Sequence, residues 1–446
     1  MIRDAQENAN WLIKILTAIF VMILVAVLFF SGQKVYGQTP PNLTITEAYQ
    51  LARKNYPLVR QYDLITKARD YSVSNAEKGY LPTLSINGQA TYQSTVTRFP
   101  FSIPIKGFVL PVYSKDQYKA YGEIDQVIYD GGLIKNQKET AKTTEVIQQQ
   151  NLEVELYNLY DRVNQLFFGV LLIDEQLKQN DLLKQDIQNG IDKAKALVAN
   201  GMAYRSSVDE LSAQLLQSEQ SRVDLAATKK AYLAMLGFFI NRSLGDHTII
   251  EKPATPVIAD IVNRPELLAY EDQKKIDDQQ EQFLNAELRP KAGFFAQGGY
   301  GRPGLNPLSN DFQWYYIGGL KLSWSLGSFY TLKNRKKLLD INRQELDLQK
   351  ETFLFNTRLV QQQEIAEIQK YMELFRKDNA IISLRESVKK AAGAQLENGV
   401  LSAHDYITQV NAEDQARQNL ILHEVQLLQK QYSYQNTTGN ITNNKQ

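Results

Sequence analysis

Two hydrophobic periods alternate along this chain. Beginning at Leu152, apolar residues recur at four-three spacing through Leu156, Leu159, Val163, Leu166, Val170, Ile173 and Leu177, which is the heptad seam of a coiled-coil helix. The seam weakens at Asn180 and Lys184, resumes through Ile187, Ile191, Ala194 and Val198, and meets a C-cap signal at Asn200-Gly201. A helix over 136–200 is predicted, on the order of 95 Å long at ~1.5 Å per residue. A looser seam through Ile365, Ile368, Met372, Phe375 and Ile382 predicts a second helix over 334–398 that closes at Asn398-Gly399. Partner helices over 206–242 and 402–434 follow each turn, giving two antiparallel hairpins with tight tips.

The other period is two. Leu84, Ile86, Gly88, Ala90 and Tyr92 alternate with Ser85, Asn87, Gln89, Thr91 and Gln93, and Tyr316, Gly318, Leu320, Leu322 and Trp324 alternate with Lys321, Ser323 and Ser325. One face of each strand is apolar and the other polar. The strand from Ala292 and the one through Ala120, Gly122 and Ile124 alternate less cleanly. Leu84, Ile86, Leu320 and Leu322 are the expected lipid-facing positions, because no further strands are available to cover them as a sandwich would. Tyr92, Tyr118, Tyr129, Tyr300, Trp314, Tyr315 and Trp324 near strand ends fit the aromatic girdles of an outer-membrane barrel. Four strands cannot close a barrel, and an open edge in lipid leaves backbone groups unpaired. Other copies of the chain must therefore close the edges, most simply in a cyclic arrangement.

Prolines and turns reveal that the pattern is used twice. Pro57, Pro82 and Tyr92 match Pro265, Pro290 and Tyr300 at an offset of 208, whereas Asn136 and Gly201 match Asn334 and Gly399 at 198. The two long helical tracts, 112–252 and 308–446, contain no proline, as helix interiors require. The expected organisation is a signal peptide over 1–37, a first repeat over 38–252 with a hairpin at 83–129, and a second over 253–446 with a hairpin at 291–325 and a polar tail. The segment from Leu244 to Asn263 reads as an irregular joint. Thr44 and Glu47 are spaced to cap each other at the opening helix. The offset changes within the strand hairpins, where the first copy carries about ten extra residues, including Phe99, Phe101, Ile103, Pro104 and Pro111. They read as a variable outer loop, with a surface cap, an inter-subunit latch or a phage receptor site as alternatives.

Composition narrows the function. Lys and Arg number 50 against 49 Asp and Glu, which argues against a nucleic-acid partner. The chain has no cysteine, so disulfides, thiolate metal sites, cysteine nucleophiles and a lipid-anchored cysteine are excluded. Its three histidines, His247, His404 and His423, lack ligand spacing, and no catalytic, cofactor or metal motif is found. Gly299-Tyr300-Gly301-Arg302-Pro303-Gly304 has dinucleotide-loop spacing, but no helix begins after it. Arg3 and Lys14 precede an apolar run over Ile15–Phe30 that suits an export signal better than a spanning helix.

Taken in order, Leu43-Thr44-Ile45-Thr46-Glu47-Ala48 with Asn55-Tyr56-Pro57, Tyr80-Leu81-Pro82-Thr83-Leu84 and Tyr129-Asp130-Gly131-Gly132 resemble the first repeat of the TolC-like outer-membrane efflux proteins. Pro265-Glu266-Leu267, Arg289-Pro290 and Trp324-Ser325-Leu326-Gly327 resemble a worn second repeat, with Ser328 near the place of the aspartate. Pro82, Pro290, Gly131 and Gly327 would then mark strand–helix junctions. The resemblance implies an α+β membrane protein: a homotrimer whose four strands per chain make a twelve-stranded β-barrel, continued by long coiled-coil helices as a periplasmic α-barrel. It implies an exit duct in the outer membrane for an inner-membrane resistance-nodulation-division or ABC pump, in efflux or type I secretion. A periplasmic adaptor would contact the tips at Asn200, Gly201, Asn398 and Gly399. Family members constrict the entrance with acids at positions corresponding to Asp405 and Thr408, and in the first copy Ser207 and Glu210, so this chain keeps one acid per copy. Asp405 also reads as an ordinary helix-start residue. The competing hypothesis is a periplasmic coiled-coil scaffold or adaptor held by an uncleaved N-terminal helix; an exported enzyme has only chain length in its favour.

Overall fold

The structure, a computed structural model, describes residues 42–96, 100, 112, 114–306 and 309–441. The signal segment and loop residues Phe99, Phe101, Ile103, Pro104 and Pro111 lie outside the described residues. In chain order the elements are β1 (Asn42–Leu43), α1 (Ile45–Asn55), a 3-10 turn (Pro57–Arg60), α2 (Gln61–Glu77), β2 (Thr83–Tyr92), β3 (Asp116–Tyr129), α3 (Leu133–Tyr157), α4 (Leu159–Ala199) and α5 (Arg205–Ile240). The second half contains β4 (Ile249–Ile250), α6 (Pro265–Glu287), β5 (Lys291–Arg302), β6 (Gln313–Ser323), α7 (Ser328–Glu397) and α8 (Ala403–Thr438).

The expected long helices form with altered bounds. The first begins at Leu133, and its hydrogen-bond ladder is interrupted at Asn158, whose N–H bonds Glu155 O at 3.3 Å. The second is continuous for 70 residues, about 105 Å. Buried residues follow the first seam from Leu152 through Ile173, but Leu177 is half-buried and Leu197, rather than Val198, closes it. In the second seam Ile368 and Ile382 are buried, whereas Met372 is exposed. That helix forms one edge of the chain, so part of its apolar surface has no partner within it.

Four upright posts make a helical wall. α3 continues into α4, and α7 stands alone. The other two posts are shorter helices meeting end to end. At one joint Asn55 Nδ2 donates to Ile240 O at 2.9 Å and Tyr56 stacks on Phe239, seating α5 against the start of the α2 segment. At the other, Asn263 N donates to Thr438 O at 2.6 Å, joining α8 to α6. Contacts run α2–α3–α6–α7 beside the sheet and α5–α4–α8–α7 towards the tips. The α2/α5 post and α7 are thus the two free edges of the wall.

The joints share one level, where the largest core lies. Leu43, Ala48, Tyr49 and Ala52 pack on Val163, Phe167, Phe168 and Leu236. Thr44 Oγ1 accepts from Glu47 N at 3.2 Å, but the Glu47 carboxylate turns to Arg242 at 3.2 Å, so the reciprocal cap is replaced by a tertiary contact. β1 and β4 add a small parallel pair that the sequence reading omitted. The irregular joint expected from Leu244 to Asn263 thus contains β4, and only from 251 to 264 does no helix or strand form. Side chains of α8 and α7 hold this segment: Tyr432 Oη donates to Ala254 O, Gln435 Nε2 to Val257 O, and Gln361 Nε2 to Asp260 O. The polar tail expected after Tyr434 is instead helical to Thr438. Asn436, Thr438 and Asn440 are buried there: Asn436 Nδ2 donates to Asp161 Oδ1 on α4, Thr438 Oγ1 to Tyr434 O of its own helix, and Asn440 Nδ2 to Ile261 O of the joint.

Candidate functional site

The sheet and tips are the two regions to which function was assigned. β2, β3, β5 and β6 pair in that order, all antiparallel, leaving β2 and β6 as free edges. Register unites the strands into one apolar face. Leu84, Ile124, Ala296 and Gly318 lie opposite one another in turn, as do Ile86, Gly122, Gly298 and Tyr316. The irregular alternation of β3 and β5 therefore reflects small residues on this face. Ile86, Leu84, Leu320 and Leu322 are 87%, 70%, 79% and 76% exposed, an apolar surface without an intrachain cover.

The opposite face holds Ser85, Glu123 and Gln297, then Asn87, Tyr121 and Tyr315. Tyr315, expected in an aromatic girdle, thus lies on the polar face, one pleat away from Trp314 and Tyr316. Gly299 also belongs there. A Cβ at that position would stand 2.5 Å from both Tyr121 Cβ and Ala120 O, so β3 approaches β5 there more closely than any residue but glycine admits. Tyr92, Tyr118, Tyr300 and Trp314 rim the outer end of the apolar face. At the inner end a bulge between Val127 and Tyr129 brings Tyr129 opposite Ala292, and Trp324 Nε1 donates to Leu288 O at 2.8 Å. The dinucleotide-like glycine run is the end of β5 and its following turn.

Pro82 and Pro290 immediately precede β2 and β5. Gly131 has φ +79°, and an added Cβ would lie 2.7 Å from Ala286 O. Asp130 receives hydrogen bonds there from Gly132 N and Ile134 N at 2.8 and 2.5 Å. Gly327 has an ordinary φ of −62°, and α7 begins without a side-chain cap. The second junction has lost the constraint that demanded glycine in the first.

At the far end the two tips are nearly the same object. Asn200 and Asn398 adopt φ/ψ of −87°/4° and −88°/5°, followed by Gly201 and Gly399 at φ +70° and +68°. Met202 N bonds Leu197 O and Val400 N bonds Gln395 O, at 2.8 and 2.9 Å, closing a Schellman turn at each end. Met202, Tyr204 and Val400 project outward. Between the hairpins, Ile187, Ile191, Leu211, Leu396, Tyr406 and Val410 form a second core. Tyr406 donates to Asp186 O at 3.2 Å, and burial raises its phenol to about 12.

The entrance candidates sit just behind these turns. Asp405 accepts from Ser402 Oγ at 2.7 Å, while its own N–H donates to Ser402 Oγ at 3.1 Å; its carboxylate takes part in a helix cap. Glu210 reaches across to His404 Nδ1 at 2.7 Å, and this hydrogen bond raises the imidazole pKa. Thr408 donates to His404 O, and Ser207 N donates to Tyr204 O. The structure therefore brings Glu210 to the start of the second partner helix, a pairing the sequence reading missed because the residues are 194 positions apart. Among the described residues, no cluster suited to a metal ion occurs and no helix is long and apolar enough to cross a membrane.

An antiparallel sheet with one apolar and one polar face, continued by long helical hairpins, is a fold this chain shares with solved outer-membrane channels. Residues 48–238, most of the first repeat, match the family model described as outer membrane efflux protein. Among solved structures, the outer membrane protein VceC from Vibrio cholerae is 14% identical, with 89% of this chain and 96% of that one covered at a TM-score of 0.61. CusC, whose structures are described as bearing on folding and transmembrane channel formation, is 12% identical, with 91% and 95% covered and a TM-score of 0.63. The open-state MtrE outer membrane channel of Neisseria gonorrhoeae is 14% identical, with 90% of each chain covered and a TM-score of 0.59. At these identities the likeness is one of fold. No curated protein matches the sequence.

Proposed function

We propose that three copies of this chain close a twelve-stranded barrel in the outer membrane, extended by a helical tube into the periplasm. The assembly would be the passive exit duct of a tripartite efflux or type I secretion system. The observation that carries the reading is that free edges coincide: β2 and β6 flank the sheet, while the α2/α5 post and α7 flank the wall. On α7, Tyr330, Ile341, Leu348, Phe355 and Leu359 point away from α6 and α8 and are exposed. Leu64, Tyr71, Leu216, Val223 and Phe238 are exposed on the other edge. A ring of copies covers both stripes and pairs both strand edges at once.

The dimensions agree. Tyr118 and Tyr129 are about 37 Å apart along β3 at ~3.4 Å per residue, or about 28 Å along a barrel axis at ~40° tilt, close to the ~25 Å apolar band of such barrels. The exposed tip residues Met202, Tyr204 and Val400 supply an apolar surface for an adaptor, with Asp405 and Glu210 as the acids nearest the entrance. A periplasmic scaffold has no use for an exposed apolar sheet face.

Replacing Ile86 and Leu320 by arginine tests the barrel. Midplane arginine on a lipid face costs roughly 2–4 kcal/mol per site, so the variant should lose the heat-sensitive trimer and its sedimentation with outer membranes. Assembly indifferent to both changes would overturn the reading.

A further inference from the structure

We propose that the helical wall directly below the sheet carries a binding site for uncharged, amphipathic small organic molecules. It is a cleft of about 530 Å³ between α3, α6 and α7, lined by Gln137, Thr140, Phe283, Leu284, Leu338 and Asn342 among others. Its volume lies within the usual ~300–1,000 Å³ of small-molecule sites, and its lining is mainly apolar with a few convergent polar groups. The inference rests on the channel reading, under which this side of the wall faces the transported molecule.

The cleft's side of the wall follows from its neighbour. A second cleft, of about 450 Å³, lies at the base of the sheet; most of its strand residues, among them Asp125, Val127, Gly293 and Lys321, belong to the polar face by register, and Gln126, Ala292 and Phe294 to the other. Gln137 lines both clefts. The larger one therefore continues downward from the polar face of the sheet, which is the lumen side of a closed barrel.

Charge identifies the ligand class. Helical spacing of three and four extends the Gln137 and Thr140 side of α3 to Thr144 and Gln148, and the Gln280 side of α6 to Gln273 and Ile276. These positions are uncharged. The opposite sides carry Lys135, Glu139 and Lys142 on α3, and Glu271, Lys274 and Asp278 on α6. The cationic group in the cleft, Arg335, is already held by Glu287 at 2.6 Å. Asp277, beside the cleft, is likewise hydrogen-bonded to the lining Asn342, so an ion would leave water for a surface whose charges already have partners. A neutral molecule with an aromatic or aliphatic body and one or two hydrogen-bonding groups matches both the phenylalanine and leucine side chains of the lining and its amide and hydroxyl groups.

Two probes sharing one ring system separate these cases: neutral N-phenyl-1-naphthylamine and its anionic analogue 8-anilinonaphthalene-1-sulfonate. Fluorescence titration of the full assembly in lipid nanodiscs, with empty nanodiscs subtracted, should show saturable binding of the neutral probe only. Thr140→Trp, which fills the cleft, and Leu338→Glu, which introduces charge, should each weaken that binding at least tenfold. Retention of the heat-sensitive trimer by either variant shows that it has folded. The inference is overturned if the neutral probe shows no saturable component, if the sulfonate binds equally well, or if folded variants bind as the parent does. Failure of the channel reading has a different signature: no conductance across a planar bilayer, whatever the probes do.

Discussion

The two copies of the module agree where the chain turns and disagree where it packs. At the tips their backbone angles differ by only a few degrees. At the level of the joints, the first copy inserts α1 against α4, while the second has an extended segment held by side chains of α8 and α7. A tip is specified by four or five consecutive residues and survives duplication unchanged. The joint depends on residues far apart in sequence, so each copy has settled it differently.

The largest test of this contrast is truncation of the core at the joint. Phe167 is fully buried, whereas Ile365, its counterpart at the offset of 198, is only half-buried. Phe167→Ala should cost about 3–5 kcal/mol and Ile365→Ala clearly less, read from the unfolding of helical circular dichroism. Equal effects would show that the copies are supported alike. Gly201→Ala and Gly399→Ala should each cost about 1–2 kcal/mol, because alanine resists a left-handed conformation. Here equality is the expected result, and a difference above twofold would break the equivalence of the tips.

A smaller effect separates the helix starts that follow the turns. Ser402 caps α8, whereas Tyr204, its counterpart, makes no side-chain cap to α5. Ser402→Ala should cost about 1 kcal/mol, and Tyr204→Ser should recover part of that amount in the first copy. The least effect concerns pH. The bond from Glu210 raises the pKa of His404, so folding favours the protonated imidazole. Its stabilisation is complete at pH below the ordinary histidine value and is lost as pH rises through the raised one. Amide exchange at the start of α8, corrected for its intrinsic pH dependence, should quicken across that interval, and His404→Gln should remove the change.

Much of this architecture was legible because it repeats or alternates. Asn-Gly at each tip, the heptad run from Leu152 to Ile173 and the alternation from Leu84 to Tyr92 are local signals that tertiary structure had no reason to override. Tyr315 was assigned to the wrong face because proximity to a strand end does not specify pleat. The buried roles of Asn436, Thr438 and Asn440 were hidden because polar residues at a chain end ordinarily read as solvated; only the folded chain brings Asp161 to Asn436 and the main chain of the joint to Asn440. Glu210 and His404 gave no signal, since helical periodicity positions a residue on its own helix and not beside another. The cleft below the sheet was equally invisible, being formed by three helices that are each unremarkable in that region.

The wall's construction also has a mechanical meaning. Three of its four posts are discontinuous at one level: α3 and α4 at Asn158, α5 and α2 between Ile240 and Gln61, where Asn55 at the end of α1 bonds Ile240 O, and α8 and α6 at Thr438 and Asn263. Tyr157 Oη donates to Asn436 O at 2.7 Å, tying two of these breaks together. α7 alone crosses without interruption. Within each chain, resistance to bending between the tip half and the sheet half is therefore concentrated in a single helix, and any torque applied at the tips reaches the sheet chiefly along that rod.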